Sequence, residues 1–329
     1  MRLATNFDGL RSVLCLLVLC VAYPAAAQDA DSPRPRAAFK VCADPNSMPE
    51  STQKEEGFEN RIAQVFAKSL GLPLQYEWFP KARGFTRRTL KNDETPDGSY
   101  KCDVILGVVE GFELAATTRP YYHSTWAMVY VKGRGLDEIE TQDDLVNLPD
   151  EKKKNLRIGL YDVGPATDWA FKNGLIDYMV PYQGMIATNP DEYPGRILEE
   201  DLLQGKIDVT FVWGPVAGYY AKKIKEEELV VIPMKSQPGI QFDFRFAMAV
   251  RFGEEQWRQQ VNGLIEKHAG EIRAILAEYN VPSVSDPLSE PYRPEHEDEE
   301  ESEEDVAEGG SGAADGTAGS RSKRSNTSN

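Results

Sequence analysis

The chain has 329 residues, 41% hydrophobic and 10% aromatic, enough to bury a sizeable core, and at about 100–200 residues per domain two domains are the natural expectation. A formal charge of −16 argues against a nucleic-acid-binding protein. The charge is unevenly placed: from Glu290 onward there are 12 acidic and 4 basic residues, so −8 of the −16 lies in the tail.

Residues 1–27 have the pattern of a secretory signal. Arg2 and Arg11 sit in a polar start, Val13 to Ala22 form a short apolar stretch, and Ala25-Ala26-Ala27 supplies small residues for cleavage before Gln28. The stretch is too short to span a bilayer, and no later run is long and apolar enough to do so. A soluble protein of a Gram-negative periplasm is expected. A lipoprotein role for Cys20 is weak, because Leu19 stands where a small residue belongs.

The apolar run Phe39 to Ala43 predicts a first strand that delivers Asp44-Pro45 and a polar loop, and this loop has no aromatic before Phe58. Phe58, Ile62, Val65, Phe66 and Leu70 recur at helical spacing, and Gly71 with Pro73 stops the helix. Leu74 to Phe79 is a strand, Gly84 to Asn92 a short helix, and "ETPDGS" a turn-rich loop. Cys102 to Val108 is a buried parallel strand. Past Gly133 and Gly135 the alternation restarts, with strands at 156–161, 207–213 and 229–234 and helices at 167–172, 196–206 and 215–223. Phe244 to Val250 is a further strand, and 254–279 is helical, with Gly270 as a possible break. Strands separated by helices imply an α/β chain with crossover connections. "GSYKCDV" and "GKIDV" each lead a glycine into a buried Asp-Val strand, once per half, so two similar α/β lobes facing each other across a cleft are expected.

Cys15 and Cys20 leave with the leader. Cys42 and Cys102 remain, and an oxidising compartment favours their pairing. Cys42 lies near the end of its strand and Cys102 near the start of another, which raises a distance problem for a parallel alignment. His123, His268 and His296 are scattered, so no metal centre and no cofactor are expected. "EHEDEEESEED" and the Gly/Ser-rich run after it cannot bury apolar area, so 286–329 is expected to be a disordered acidic tail.

The segments "VCADPNSMPES", "GFENRIAQVFAKSLGLPLQYEWFPKARGFTRRTL", "CDVILGVVEGFELAATTRPYYHSTW", "RIGLYDVGPATDWA" and "IDVTFVWGPVAGYYA" resemble the MxaJ/XoxJ family, binding-protein-like partners of quinoprotein alcohol dehydrogenases, within the type II periplasmic binding proteins. The resemblance implies a two-lobed fold, each lobe a mostly parallel sheet flanked by helices. Residues 37–131 with 236–283 would form one lobe and 132–235 the other. It implies a non-enzymatic role in maturing or activating a PQQ-dependent alcohol (methanol) dehydrogenase, with the cytochrome c of that enzyme as a further contact. The chain departs from the family pattern at Glu50, where an aromatic commonly follows the proline.

An amino-acid carrier needs an arginine for the solute carboxylate and an acid for its ammonium. No arginine precedes Arg119 after the first Asp-Val strand, and Trp213 stands where the acid belongs. Candidate cleft or partner contacts are Asp44, Arg83, Glu110, Arg119, Tyr121, Tyr122, Thr167 and Trp213. The alternative role of Asp44 is to cap the loop that follows it. Lys81, Arg83, Arg87 and Arg88 form a basic cluster that is either an anion contact or a solvated face. Gly164 to Thr167 is an anion site or an ordinary helix start. Tyr121, Tyr122, Trp126, Trp213, Tyr219 and Tyr220 lie near the expected lobe junction and line either a cleft or partner surface or, in part, the core, the plainer reading for Trp126 and Tyr219. Two alternatives stay open: a solute-binding subunit of an ABC uptake transporter, and an enzyme using Glu110 or Glu113 as an acid.

Overall fold

The computed structural model describes residues 36–96, 98–184 and 193–291. The expected leader with Cys15 and Cys20, and the tail beyond residue 291, lie outside the described residues.

Strand β1 (Phe39–Ala43) runs into a small hairpin, β2 (Asn46–Ser47) and β3 (Ser51–Thr52), then helix α1 (Phe58–Leu70) and β4 (Leu74–Trp78). In α1 the predicted stripe of Phe58, Ile62 and Phe66 is buried, and Gly71, at φ 67°, ends the helix by donating its N–H to the Ala67 and Lys68 carbonyls. Next come α2 (Phe85–Arg88), shorter than its sequence signal, then β5 (Val104–Val109) and β6 (Ala116–Val131). Helices α3 (Gln142–Val146) and α4 (Asp150–Lys153) precede β7 (Ile158–Tyr161), α5 (Pro165–Lys172) and β8 (Met179–Tyr182). A π-helical turn at Ile197–Leu202 replaces most of the helix expected over 196–206. Strand β9 (Val209–Trp213), α6 (Gly214–Lys223), β10 (Leu229–Pro233), β11 (Asp243–Val250), α7 (Glu255–Lys267) and α8 (Ala269–Glu278) complete the order. The break between α7 and α8 falls at His268, which caps both helices and is held by Glu271 at 2.7 Å, rather than at Gly270.

Among the described residues nine strands form one sheet in the order β4-β1-β5-β11-β6-β9-β7-β8, with β10 beside β6. The outer strands are parallel: β1 with β4 and β5, and β7 with β8 and β9. Strand β6 is antiparallel to β11 along its first half, then to β9 and β10 along its second. One 16-residue strand therefore serves both lobes.

Each lobe has its own core. Phe39, Phe58, Ile62, Phe66, Val104, Leu106, Trp257 and Ile265 pack in the first. Leu145, Ile158, Leu160, Trp169, Val209 and Phe211 pack in the second, joined by Ile240 and Phe242 from the returning chain. The disulfide Cys42–Cys102 closes with Cα atoms 5.4 Å apart. The distance problem is resolved because Cys102 lies two residues before β5 begins, while the Asp103 N–H already bonds the Lys40 carbonyl on β1 at 2.8 Å.

Candidate functional site: a cleft of rings and carboxylates

Alternation along a strand places every second side chain on one face. Tyr122, Ser124 and Trp126 therefore share a face of β6, and Phe244 and Phe246 share one of β11. The register sets Phe246 opposite Tyr122, Phe244 opposite Ser124, and Trp213 of β9 opposite Trp126. The rings touch: Tyr122 stacks on Phe246 at 4.8 Å, and Trp213 lies 5.2 Å from Phe246 and 6.2 Å from Phe244. This aromatic face, where the crossing strands join the lobes, forms one wall of a cleft of about 320 Å³.

The other wall is polar. Ser47, Glu50, Glu59, Lys81 and Gly107 complete it. Glu50 is placed by its backbone: its carbonyl accepts the Glu59 N–H at 2.9 Å in the first turn of α1, and that of Pro49 accepts the Phe58 N–H at 2.8 Å. Gly57 permits this approach, since a Cβ there would lie 2.1 Å from the Glu50 oxygen. Glu59, 3% exposed, binds Lys81 Nζ through both oxygens at 3.0 and 3.2 Å. Gly107 makes room for that pair, because its Cβ would fall 2.1 Å from Glu59 Oε1. Burial alone would lower the Lys81 pKa, but the Glu59, Glu50 and Asp44 carboxylates outweigh it and the ammonium is held above its usual range. Burial pushes the Glu50 carboxyl up to about 7, partly offset by Lys81 and reinforced by Glu59 and Asp44.

Of the residues singled out in the sequence, Tyr122 and Trp213 line the cleft. Asp44 is 2% exposed and lies beneath it, accepting the Asn46 and Lys81 backbone N–H groups. Tyr121, 1% exposed, packs in the first core, 4.9 Å from Tyr122, and Tyr220 packs in a separate cluster with Ile197, Leu198 and Val216. Arg119 turns away to Glu266 at 2.7 Å and to the carbonyls of Pro287 and Glu290, so it fastens the C-terminal stretch to the first lobe. Glu110 pairs with Arg245 at 2.9 Å. Thr167 donates its hydroxyl to the Tyr161 carbonyl at the start of α5. In the basic cluster, Lys81 turns inward to Glu59 while Arg83, Arg87 and Arg88 stay exposed. Tyr219 is half-buried and stacks on Tyr279 at 6.0 Å. Trp126, read as core, is half-buried: it packs against the second core and also lines the cleft. Lys81 was noted only as part of the basic cluster and not as the partner of Glu59, and Glu59, Phe244 and Phe246 were not singled out as site residues. The i, i+2 spacing of the rings was a usable signal for the two phenylalanines; the Glu59–Lys81 pair spans 22 positions and left none.

Two lobes, a cleft at their junction and a pair of crossing strands define a type II periplasmic binding protein. No family model matches the chain. It is 31% identical to the periplasmic binding protein XoxJ from Methylobacterium extorquens AM1, covering 76% of this chain and 100% of that one at a TM-score of 0.59. It is 28% identical over 260 residues to Protein MoxJ of Paracoccus denitrificans, 74% of this chain and 88% of that protein. MxaJ of Methlophaga aminisulfidivorans MPT, 24% identical with 75% and 100% covered, shares the fold at a TM-score of 0.62. The chain belongs to the MxaJ/XoxJ family.

Proposed function

We propose that this chain is a periplasmic, non-enzymatic accessory protein of a PQQ-dependent alcohol (methanol) dehydrogenase, delivered by a leader over residues 1–27. In this reading, residues 37–131 with 236–283 supply one jaw and 132–235 the other, with the second half of β6 and Ile240 and Phe242 packing into the second. They close on a segment of the dehydrogenase and help it reach its active, cofactor-loaded state. Family membership supports the choice of partner. The observation that carries the segment reading is the cleft wall of Tyr122, Trp126, Trp213, Phe244 and Phe246, an aromatic surface of the kind that anchors protein contacts. It is also short of the two charged grips of an amino-acid carrier, since Trp213 ends β9 and Arg119 is engaged with Glu266. Co-purification from periplasmic extract tests it. Trp213→Ala should abolish capture of the dehydrogenase, with a thermal unfolding curve verifying that the variant, though less stable, is folded. Undiminished alcohol oxidation in a strain lacking this chain would overturn the reading.

The volume of the cleft keeps a second reading in view, a solute-binding subunit of an uptake transporter. A thermal-shift screen with small organic solutes separates the two, because tight cargo raises the melting temperature by mass action.

A further inference from the structure

The charges in the cleft do not balance. Asp44, Glu50 and Glu59 face a single ammonium, that of Lys81. Asp44 is occupied by two backbone N–H groups, and both oxygens of Glu59 are taken by Lys81. Glu50 is left over. Besides its own backbone N–H, its side chain meets only the Ser47 hydroxyl, at 3.5 Å, the outer limit of a hydrogen bond, and among the described residues no basic group lies within 4 Å of it. It stands half-buried at the edge of a recess whose other wall is five aromatic rings.

A carboxylate facing ring faces in a place partly withdrawn from water is poorly served by a neutral guest and repels an anionic one. An organic cation with an apolar stem satisfies both walls, its charge against the carboxylate and the negative ring faces, its stem against the apolar surface. We propose that the cleft holds an alkylammonium group, a lysine side chain of the captured segment, with Glu50 as its counter-ion and Trp126, Trp213, Phe244 and Phe246 as its walls. The source of the lysine rests on the segment-capture reading; the chemistry of the site does not.

The groups facing Glu50 are Asp44 after β1, Glu59 on α1, Lys81 after β4, Tyr121 and Tyr122 on β6, and Tyr220 on α6. Lys81 and all three phenols are displaced upward, away from neutrality, whereas Glu50 titrates near it. A cation entering the cleft displaces the Glu50 proton, so affinity should rise between about pH 6 and about pH 8.

The test titrates the purified full chain by tryptophan fluorescence with Nα-acetyl-lysine methylamide, its uncharged norleucine analogue and n-butylammonium. The lysine probe should bind at least about tenfold more tightly than the norleucine probe, and Glu50→Gln should remove that margin together with its pH dependence. Thermal unfolding verifies that the variant is folded, and Glu50→Asp, which keeps the charge, should restore part of the margin. Equal binding of the lysine and norleucine probes, or a margin that survives Glu50→Gln, overturns the inference. Capture of the dehydrogenase that persists without lysine-probe binding also overturns it and leaves the segment reading standing. Lysine-probe binding without any capture upholds the cation site and removes the segment reading, and n-butylammonium binding as tightly as the lysine probe would then overturn lysine as the occupant in favour of a free amine.

Discussion

The first lobe carries two clusters of buried charge at opposite ends of the same strands, and they are built differently. At the end away from the cleft, Arg36 and Arg251 meet Asp103 and Glu254. Arg251 bonds Asp103 and Glu254 at 2.9 Å and the carbonyls of Leu90 and Cys102, while Arg36 bonds Glu254 at 2.8 Å. Tyr100 and Trp257 lie 3.9 Å from the two guanidinium groups. Two cations answer two anions, and the guanidinium of Arg251 is engaged on every side. At the cleft end, three carboxylates share one lysine. A cluster that only holds the fold together is neutral and saturated. The cluster in the cleft keeps a surplus charge, which costs stability and is what a guest can use.

That contrast can be broken at several points. The largest effect is expected at the saturated end. Arg251→Met strips the main partner from Asp103 and Glu254 and should cost about 3–5 kcal/mol in denaturant unfolding. A loss under 1 kcal/mol would mean the cluster is no keystone. Replacing Cys42 and Cys102 by alanine beside it opens a link across a sequence separation of 60 and should cost about 2–4 kcal/mol.

At the cleft end, Gly107→Ala drives a methyl into the Glu59–Lys81 pair and should cost about 1–3 kcal/mol. Weakened capture of the cleft's guest should accompany it, and a variant with unchanged stability and binding would show that the pair moves aside freely.

Glu50→Gln is the subtlest case and differs in sign. Burial raises the Glu50 carboxyl from its ordinary 4.5 to about 7, so the folded chain holds this proton more tightly than the unfolded chain. Stability is then lost as the pH rises from about 4.5 to about 7 and stays lost above it. Glutamine removes that decline. The variant should melt a few degrees higher than the parent at about pH 8 and with it at about pH 4, a difference that scanning calorimetry at the two pH values would register.

Helix α1 and the strands β1, β4, β5, β7, β9, β10 and β11 were legible because each carries its own periodicity and stop signals. Gly71 ends α1 where the sequence places the stop. Strand β6 was harder to see. Its "ATTRPYYHSTWAMVYV" mixes Thr-Arg-Pro with apolar runs, because its first half pairs with β11 and its second half with β9 and β10. The break at His268 depended on a local bond to Glu271, which competes with the helix and leaves the glycine two residues on as ordinary helix. In the site, Trp213 could be read from its place at the end of a predicted strand, and Tyr122 from the aromatic run that follows another. Arg119 could not, since only the returning C-terminal stretch shows that its guanidinium is engaged away from the cleft.

By itself the sequence determined the order of α/β units, the repeated Asp-Val strands and the missing amino-acid grips, because each is written in neighbouring residues. Tertiary structure alone decided which charges meet. Glu59 and Lys81 come together only when α1 and the loop after β4 fold onto one side of β5, and Glu50 is left unpaired only because Lys81 is already taken. Burial and the balance of nearby charge are properties of the assembled molecule, and no local pattern encodes them.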